Sequence, residues 1–204
     1  MTNPLADISA AVQVLAIGFA PGDPRRAIFE EFGAEVWRVD QTVIDLLRFS
    51  RPFPPRRRPT SLRPLARFII ESRRRAHPST ELALDVPEDL VVALYERMIE
   101  QVLENLVCNA LPSIEGRSTR VCAVERADGG GLALEVRDGG PGIPPNRREN
   151  MFELFYTTND AWHGTGLSIA RKNAEAHGGS LESDDAPEGG ARFTVRLPEP
   201  RETA

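Results

Sequence analysis

The 204-residue sequence has no run of about 18 apolar residues, and its N-terminus lacks a basic region followed by an apolar stretch. We therefore expect neither a membrane-spanning segment nor a signal peptide, and we predict a cytoplasmic location. Cysteine is scarce. Cys108 and Cys122 lie in separate apolar segments without paired spacing, so we interpret both as reduced core residues rather than as a disulfide or metal ligands. A hydrophobic content of 41% is enough for a core in one large or two modest domains.

Lysine is absent from residues 51–75, a segment rich in arginine and proline on a chain whose net charge is −5. This segment is typical of an extended, solvated linker; the alternative is a surface that attracts an acidic partner. Nucleic acid is not an expected partner, because neither interleaved aromatic residues nor a recognition helix accompanies the arginines.

Residues 1–50 have the apolar spacing of two helices, with steps of three and four residues. The first stripe is Leu5, Ile8, Val12, Leu15 and Phe19; the second is Phe29, Phe32, Val36, Val39, Val43 and Leu46. Between them, Asp23 is a predicted N-cap and Pro24 a predicted first helical residue. Because two single-stripe helices cannot close a core, we predict a hairpin domain over 1–54 that forms a four-helix bundle in a homodimer. The alternative is packing on the rest of the chain.

From Leu62 the pattern becomes mixed. It predicts helices over 62–76, 92–111 and 166–177, and strands over 80–86, 119–127, 131–138, 180–185 and 190–197. Three helices against a mainly antiparallel sheet make a two-layer α/β sandwich, so the fold class is α+β and the second domain covers 55–204. Weak periodicity over 143–163 is typical of a functional lid.

Three polar patches in this second domain could serve a nucleotide. Asn105 and Asn109 stand four residues apart on one predicted helix face, and an amide oxygen there could ligate Mg²⁺. Asp138 ends a strand before Gly-Gly-Pro-Gly, where a carboxylate could accept a hydrogen bond from an exocyclic amine. Gly164-Thr-Gly166 opens a helix whose free amides could hold phosphates. Alternatives remain open for the first two patches. The two asparagines could be ordinary amides on a helix surface, and Asp138 with its glycines could be an ordinary surface turn.

Together with Met151–Thr158, where Phe152 and Phe155 would anchor the lid, these patches resemble, in order, the N, G1, F and G2 boxes of bacterial sensor histidine kinases. The N-terminus is similar as well: Asn3-Pro-Leu5 resembles the end of the family's His-Glu-x-x-Asn-Pro-Leu phosphoacceptor box, and Leu46–Pro52 resembles the end of its second bundle helix. The variety resembled is the nitrogen-regulation type.

The resemblance implies a dimerisation and phosphotransfer hairpin followed by an ATP domain of the Bergerat fold, with ATP and Mg²⁺ as cofactors. It implies that the γ-phosphoryl group passes to a histidine and then to an aspartate of a response-regulator receiver domain. By the same resemblance Asn109 ligates Mg²⁺, Asn105 lines the phosphate site, and Asp138 contacts adenine. The other cofactor-binding residues would be Gly140, Gly142, Phe155, Thr158, Gly164, Thr165, Gly166 and Leu167.

The sequence departs from the family at two places. The phosphoacceptor histidine would fall two positions before Met1, whereas the histidines present are His77, His163 and His177. The chain is therefore interpreted as part of a longer kinase or as a degenerate member, a dimeric pseudokinase, adaptor or phosphatase that binds a response regulator. Asn3 would orient water in such a phosphatase. In the lid, Asn159, Trp162 and His163 replace the family's lysine, glycine and threonine.

Related ATPases use a glutamate to activate water at the position of Asn105. Because an amide cannot serve as a general base, simple ATP hydrolysis is disfavoured.

Overall fold

A computed structural model describes residues 4–50, 56–111, 118–125, 131–157 and 164–198. The chain forms two compact units, one helical and one with sheets, which are described separately. No helix within these ranges is long and apolar enough to cross a bilayer.

The helical unit consists of α1 (Pro4–Ile17) and α2 (Pro24–Ser50). The predicted start of α2 is confirmed: Pro24 is its first residue, and Asp23 Oδ1 accepts a hydrogen bond of 2.9 Å from the Arg25 backbone amide. The predicted extent of the first helix is wrong at its end, because α1 stops at Ile17. Phe19 lies in the connection instead, where its ring stacks on Phe29 with a centroid distance of 5.5 Å.

The apolar stripes of this unit are only partly covered. Val12 and Val36 are buried, whereas the stripe residues Leu15 and Val39 remain 51% and 45% exposed. Two helices can bury only the sides that face each other, so a single chain leaves a second apolar side uncovered.

The second unit contains a five-stranded sheet in the order β2-β4-β5-β7-β6, in which β2 and β4 are parallel and the other neighbours antiparallel. A two-stranded sheet pairs β1 with β3. The strands are β1 (Arg58–Ser61), β2 (Glu81–Asp85), β3 (Val91–Leu94), β4 (Ser118–Glu125), β5 (Leu132–Asp138), β6 (Ser180–Asp185) and β7 (Ala191–Leu197). The helices are α3 (Leu62–Ala76), α4 (Glu96–Ala110), α5 (Pro145–Arg148) and α6 (Gly166–Ala176), with a 3-10 turn at Asn150–Phe152.

The predicted helix over 92–111 is wrong at its start. Residues Val91–Leu94 form β3, which pairs in antiparallel register with β1, a strand that the sequence pattern did not predict. Helix α4 begins only at Glu96. The other predicted elements of this unit match the observed ones within one or two residues, and the α+β sandwich is confirmed.

The core lies between the five-stranded sheet and helices α3, α4 and α6. On β5, Leu132, Leu134 and Val136 alternate toward the helices and are almost fully buried. Each such side chain stabilises the fold by about 1.5–3 kcal/mol. The next residue on that face of β5 is Asp138, so the strand delivers a carboxylate to the end of an apolar layer.

Helix α4 carries Cys108, a half-buried free thiol. Burial raises the pKa of this thiol above its usual range, which favours the protonated form expected of a reduced core cysteine.

Candidate functional site

Asp138 is the last residue of β5 and is 7% exposed. Its Oδ1 accepts hydrogen bonds from two backbone amides, Gly140 at 2.8 Å and Ala191 at 3.1 Å. Both of these bonds use Oδ1, and none of the hydrogen bonds seen in the described chain uses Oδ2. One oxygen therefore fixes the carboxylate, and the other remains available as an acceptor.

The turn between β6 and β7 forms a wall of this site, although the sequence pattern indicated only the two strands on either side of it. Gly190 has a φ of +90°, and a Cβ there would overlap the carbonyl oxygen of Asp138 and lie 2.7 Å from the Gly140 amide. Arg148 fastens the same turn, since its guanidinium donates to Asp185 at 2.5 Å and to the Ile143 carbonyl at 3.0 Å. Gly142 also has a positive φ, +79°. Because Gly190 has no Cβ, the β6–β7 turn can lie against the backbone of Asp138 and Gly140.

Asn105 and Asn109 lie one turn apart on α4, and neither is among the buried residues of that helix. Asn105 is half-buried, and its Nδ2 donates a hydrogen bond of 2.9 Å to the carbonyl of Gly166, the first residue of α6. Asn109 lies one turn later, is exposed, and makes no hydrogen bond to any residue that the structure describes. The two amides therefore differ: the Asn105 amide joins two helices, whereas Asn109 is exposed.

The start of α6 offers backbone amides for an anion. The first amides of a helix have no partner within it, and the helix dipole makes this end positive. Thr165 is buried at the N-cap, and its carbonyl accepts from Ile169 N at 3.0 Å and Ser168 Oγ at 2.8 Å. Leu167 packs against the core. Asn105 contacts the carbonyl of Gly166 rather than the amides of this first turn.

The segment before α6 is closed by a backbone contact. The Phe155 amide donates to the Gly164 carbonyl at 3.0 Å, and a Cβ on Gly164 would lie 2.5 Å from Tyr156 O. Phe155 has a φ of 70° and is 51% exposed, so the prediction that it anchors the lid in the core is wrong. Phe152 does pack against the core, and the second aromatic residue that does so is Tyr156 rather than Phe155. Adjacent residues of a turn point in different directions, which the spacing could not resolve.

Two further polar side chains, Asn173 and His177, join α6 to α4 and to the residue before it, and the sequence pattern indicated neither. Asn173 Nδ2 donates to Gln101 Oε1 at 3.2 Å and to Met98 O at 3.3 Å. His177, 1% exposed, accepts from the Tyr95 amide through Nε2 at 3.0 Å, while its Nδ1 lies 2.7 Å from Asn173 O. These contacts require the neutral ring with its proton on Nδ1, and burial lowers the pKa of His177 below its usual range.

Several predicted residues lie outside the described ranges: Asn3, Thr158, Asn159, Trp162 and His163. The others form two groups. Asp138, Gly140 and Gly142 meet the β6–β7 turn, whereas Asn105 meets Thr165 and Gly166 at the start of α6. Helix α4 packs against both β5 and α6 and so lies next to both groups.

Comparison with known proteins gives consistent matches. Residues 94–201 match the family described as histidine kinase-, DNA gyrase B-, and HSP90-like ATPase. The signal transduction histidine-protein kinase AfsQ2 of Streptomyces coelicolor is 40% identical over 121 residues, which cover 57% of this chain and 22% of AfsQ2. The sensor protein kinase PilS of Pseudomonas aeruginosa is 29% identical over 205 residues, which cover 98% of this chain and 39% of PilS. The chain thus spans a minor part of these relatives' length.

A solved structure extends the similarity to both units. The crystal structure of full-length ShkA in complex with AMPPNP has a TM-score of 0.70 to this chain at 26% identity, covering 96% of this chain and 45% of that one. The matched residues 94–201 include Asn105, Asp138 and Gly166, around which the two groups of polar residues are built. The chain belongs to the histidine kinase-, DNA gyrase B- and HSP90-like ATPase family, among the sensor histidine kinases of two-component systems.

Proposed function

We propose that this chain is the ATP-binding kinase core of a sensor histidine kinase, which passes the γ-phosphoryl group of ATP to a histidine and then to a response-regulator aspartate. The observation that carries the proposal is Asp138, a nearly buried carboxylate whose Oδ1 is fixed by two amides and whose Oδ2 makes none of the hydrogen bonds seen in the described chain. Asp138 also lies within the residues that match the family, 94–201, on a strand that packs against α4.

At the base end, Oδ2 of Asp138 accepts a hydrogen bond from the exocyclic amine of adenine. A carboxylate offers only acceptors, so it favours a base with an amino group over one with a carbonyl at that position. Gly140 and Gly142 let the backbone approach the flat ring closely.

At the phosphate end, the amides that open α6 hold the phosphates, with Gly164 and Gly166 shaping the approach. Asn105 supports this position through its bond to the Gly166 carbonyl. Asn109 fits a magnesium ligand, because its amide is exposed and makes no hydrogen bond to a described residue, and Mg²⁺ is usually held by few protein oxygens and the substrate phosphates. When bound, Mg²⁺ would neutralise phosphate charge.

Phosphoryl transfer breaks the bond between the γ-phosphorus and its bridging oxygen and forms a bond from phosphorus to a histidine ring nitrogen, with ADP as the leaving group. In the second step that nitrogen leaves, and a receiver-domain aspartate takes the phosphoryl group. The protein contributes chiefly position and charge neutralisation. Asn105 stands where a hydrolase would need a carboxylate base, so the site favours transfer over hydrolysis.

We further propose that the kinase core works as a homodimer in the cytoplasm, where ATP and receiver domains are available. The uncovered apolar residues of α1 and α2, including Leu15 and Val39, support a second copy of the hairpin as the partner.

Isothermal calorimetry with Mg²⁺ and ATP tests the proposal. The unmodified chain should bind, and Asp138→Asn should bind at least about tenfold more weakly, because one carboxylate oxygen becomes a donor that faces the donor of adenine. Asn can keep an oxygen toward Gly140 and Ala191, so the fold should persist. The matched control is Asp184→Asn, which alters an exposed pair with Arg192. Equal binding by Asp138→Asn would remove Asp138 from the site.

A further inference from the structure

Thr119 presents a buried hydroxyl without a partner. The residue has 0% exposure, and its Oγ1 makes no hydrogen bond in the described part of the chain. Buried hydroxyls are nearly always paired, because an unpaired one forfeits its hydrogen bonds to water. Such a group in an otherwise ordered strand therefore needs an explanation.

The strand register places this hydroxyl beside the carboxylate of the site. Thr119 of β4 lies directly opposite Asp138 of β5 in the antiparallel ladder. Directly opposite residues share a sheet face, with Cβ atoms about 4.5–5.5 Å apart. That face is the one that Leu134 and Val136 turn toward the helices. No hydrogen bond joins the two side chains, since the bonds of Asp138 go from Gly140 and Ala191 to Oδ1.

The two groups are complementary to one edge of a purine. The carboxylate can only accept a hydrogen bond, whereas the hydroxyl can donate one. Adenine presents an amino group next to a ring nitrogen acceptor, N1, and so offers one donor and one acceptor side by side. We propose that Thr119 is a specificity-determining residue for the base: its hydroxyl donates to N1, directly or through one water, while Asp138 Oδ2 accepts from the amine. This inference rests on the proposed ATP binding.

The inference also explains why the hydroxyl has no protein partner. A threonine that only stabilised the strand would bond to a carbonyl or carboxylate nearby, as Thr60 does with the Arg58 carbonyl at 3.0 Å. A hydroxyl reserved for a ligand remains unpaired until the ligand binds, and it lowers the stability of the free protein. Removing the hydroxyl should therefore lower the affinity for ATP but not the stability of the nucleotide-free protein.

Thr119→Val tests this, because valine keeps the shape of the side chain and removes the hydroxyl. Calorimetry should show about fivefold weaker ATP binding, the equivalent of one hydrogen bond. Thr119→Ser, which keeps the hydroxyl, should stay within about twofold of the unmodified chain. The matched control is Thr194→Val, also at a buried threonine, on β7 opposite Glu135 and hence on the other face of the sheet. It should bind ATP normally.

Two further measurements separate base recognition from general damage. The unmodified chain and Thr119→Val should bind 1-deaza-ATP, which lacks the N1 acceptor, equally well. The thermal midpoint of the nucleotide-free Thr119→Val protein should equal or exceed that of the unmodified chain. Unchanged ATP affinity, an equal loss for both nucleotides, or a lowered midpoint would each overturn the role of Thr119. Failure of the unmodified chain to bind ATP would instead defeat the proposed function, and this inference with it.

Discussion

Single residues in the β6–β7 turn determine how closely the chain can approach Asp138. Gly189 and Gly190 have nearly the same φ, +89° and +90°, but a Cβ on Gly189 would meet nothing within 4 Å, whereas one on Gly190 would overlap the Asp138 carbonyl. Gly189→Ala should therefore lower the unfolding free energy by about 1–2 kcal/mol, the cost of a positive φ. Gly190→Ala adds a steric overlap and should cost more than about 3 kcal/mol.

Urea unfolding of the two alanine variants, followed by circular dichroism, measures this difference, and calorimetry should find ATP affinity reduced in Gly190→Ala alone. Because both variants carry the same backbone penalty, their difference isolates the contact with Asp138. Equal unfolding free energies would contradict the placement of this turn against the base end of the site.

The sequence indicated the side chains of the site better than its backbone. Asn105 and Asp138 could be predicted as candidate site residues, because an amide within an apolar helical pattern, or a carboxylate directly after a strand pattern, can be recognised in the sequence alone. Ala191 contributes a backbone amide to Asp138, and any residue type except proline could do so. Thr119 depends on strand register, which pairs it with a residue 19 positions away. Neither Ala191 nor Thr119 is therefore marked by a local pattern in the sequence.

Among the elements, α4 and α6 are held in register by His177, which accepts the Tyr95 amide at the start of α4. Burial places the folded-state pKa of His177 below the unfolded value of about 6.5. The neutral ring therefore contributes stability that is fully present above that value and is lost as the pH falls from there toward the folded pKa. The unfolding free energy should decrease over this range by at most about 1.4 kcal/mol per pH unit.

Chemical unfolding of the unmodified chain and His177→Gln between pH 7.5 and 5 measures this contribution (about the range over which histidine titrates). The variant should be less stable at pH 7.5, and the difference between the two proteins should shrink as the pH falls. His77→Gln is the matched control, since His77 is exposed after α3. A difference that stays constant with pH would show that His177 does not titrate with unfolding.

The elements that the sequence pattern did not resolve are short and non-local. Strands β1 and β3 have four residues each, and Thr60 of one pairs with Val92 of the other. The apolar run Val91–Leu94 continues into the helical spacing of α4 without a break, so periodicity alone assigned it to the helix. What separates them is tertiary: the Tyr95 amide bonds to the ring of His177, 82 residues later. Helices α3 and α6 and the longer strands needed no such information.

At the scale of the whole molecule, the hairpin provides a matched pair of substitutions for testing the proposed dimer. Leu15 and Val14 are adjacent apolar residues of α1, 51% and 70% exposed, but only Leu15 lies on the predicted stripe. Leu15→Glu places an unpaired charge in the bundle interface at a cost of several kcal/mol, about 2–7, and should give monomers. Val14→Glu should remain dimeric. Sedimentation velocity measures both, and a monomeric unmodified chain would refute the four-helix bundle.

In the proposed mechanism, the acceptor histidine and the γ-phosphorus must meet in line for transfer. The family resemblance places the acceptor histidine two positions before Met1, so the chain as given should not acquire phosphate from γ-labelled ATP. An N-terminal extension that ends in His-Glu directly ahead of Met1 should acquire acid-labile phosphate. The same extension ending in Gln-Glu is the control, and combining the His-Glu extension with Asp138→Asn should lower labelling in proportion to ATP affinity.

Labelling of the unextended chain would mean that another residue accepts the phosphoryl group, which the proposed mechanism does not allow. If the extended chain binds ATP but is not labelled, the defect lies after nucleotide binding. Asn159 and Trp162 are then the candidates, since the family resemblance implies a lysine and a glycine at these two positions of the lid. Asn159→Lys combined with Trp162→Gly should restore labelling in that case, because a cation near the γ-phosphate neutralises charge that develops during transfer.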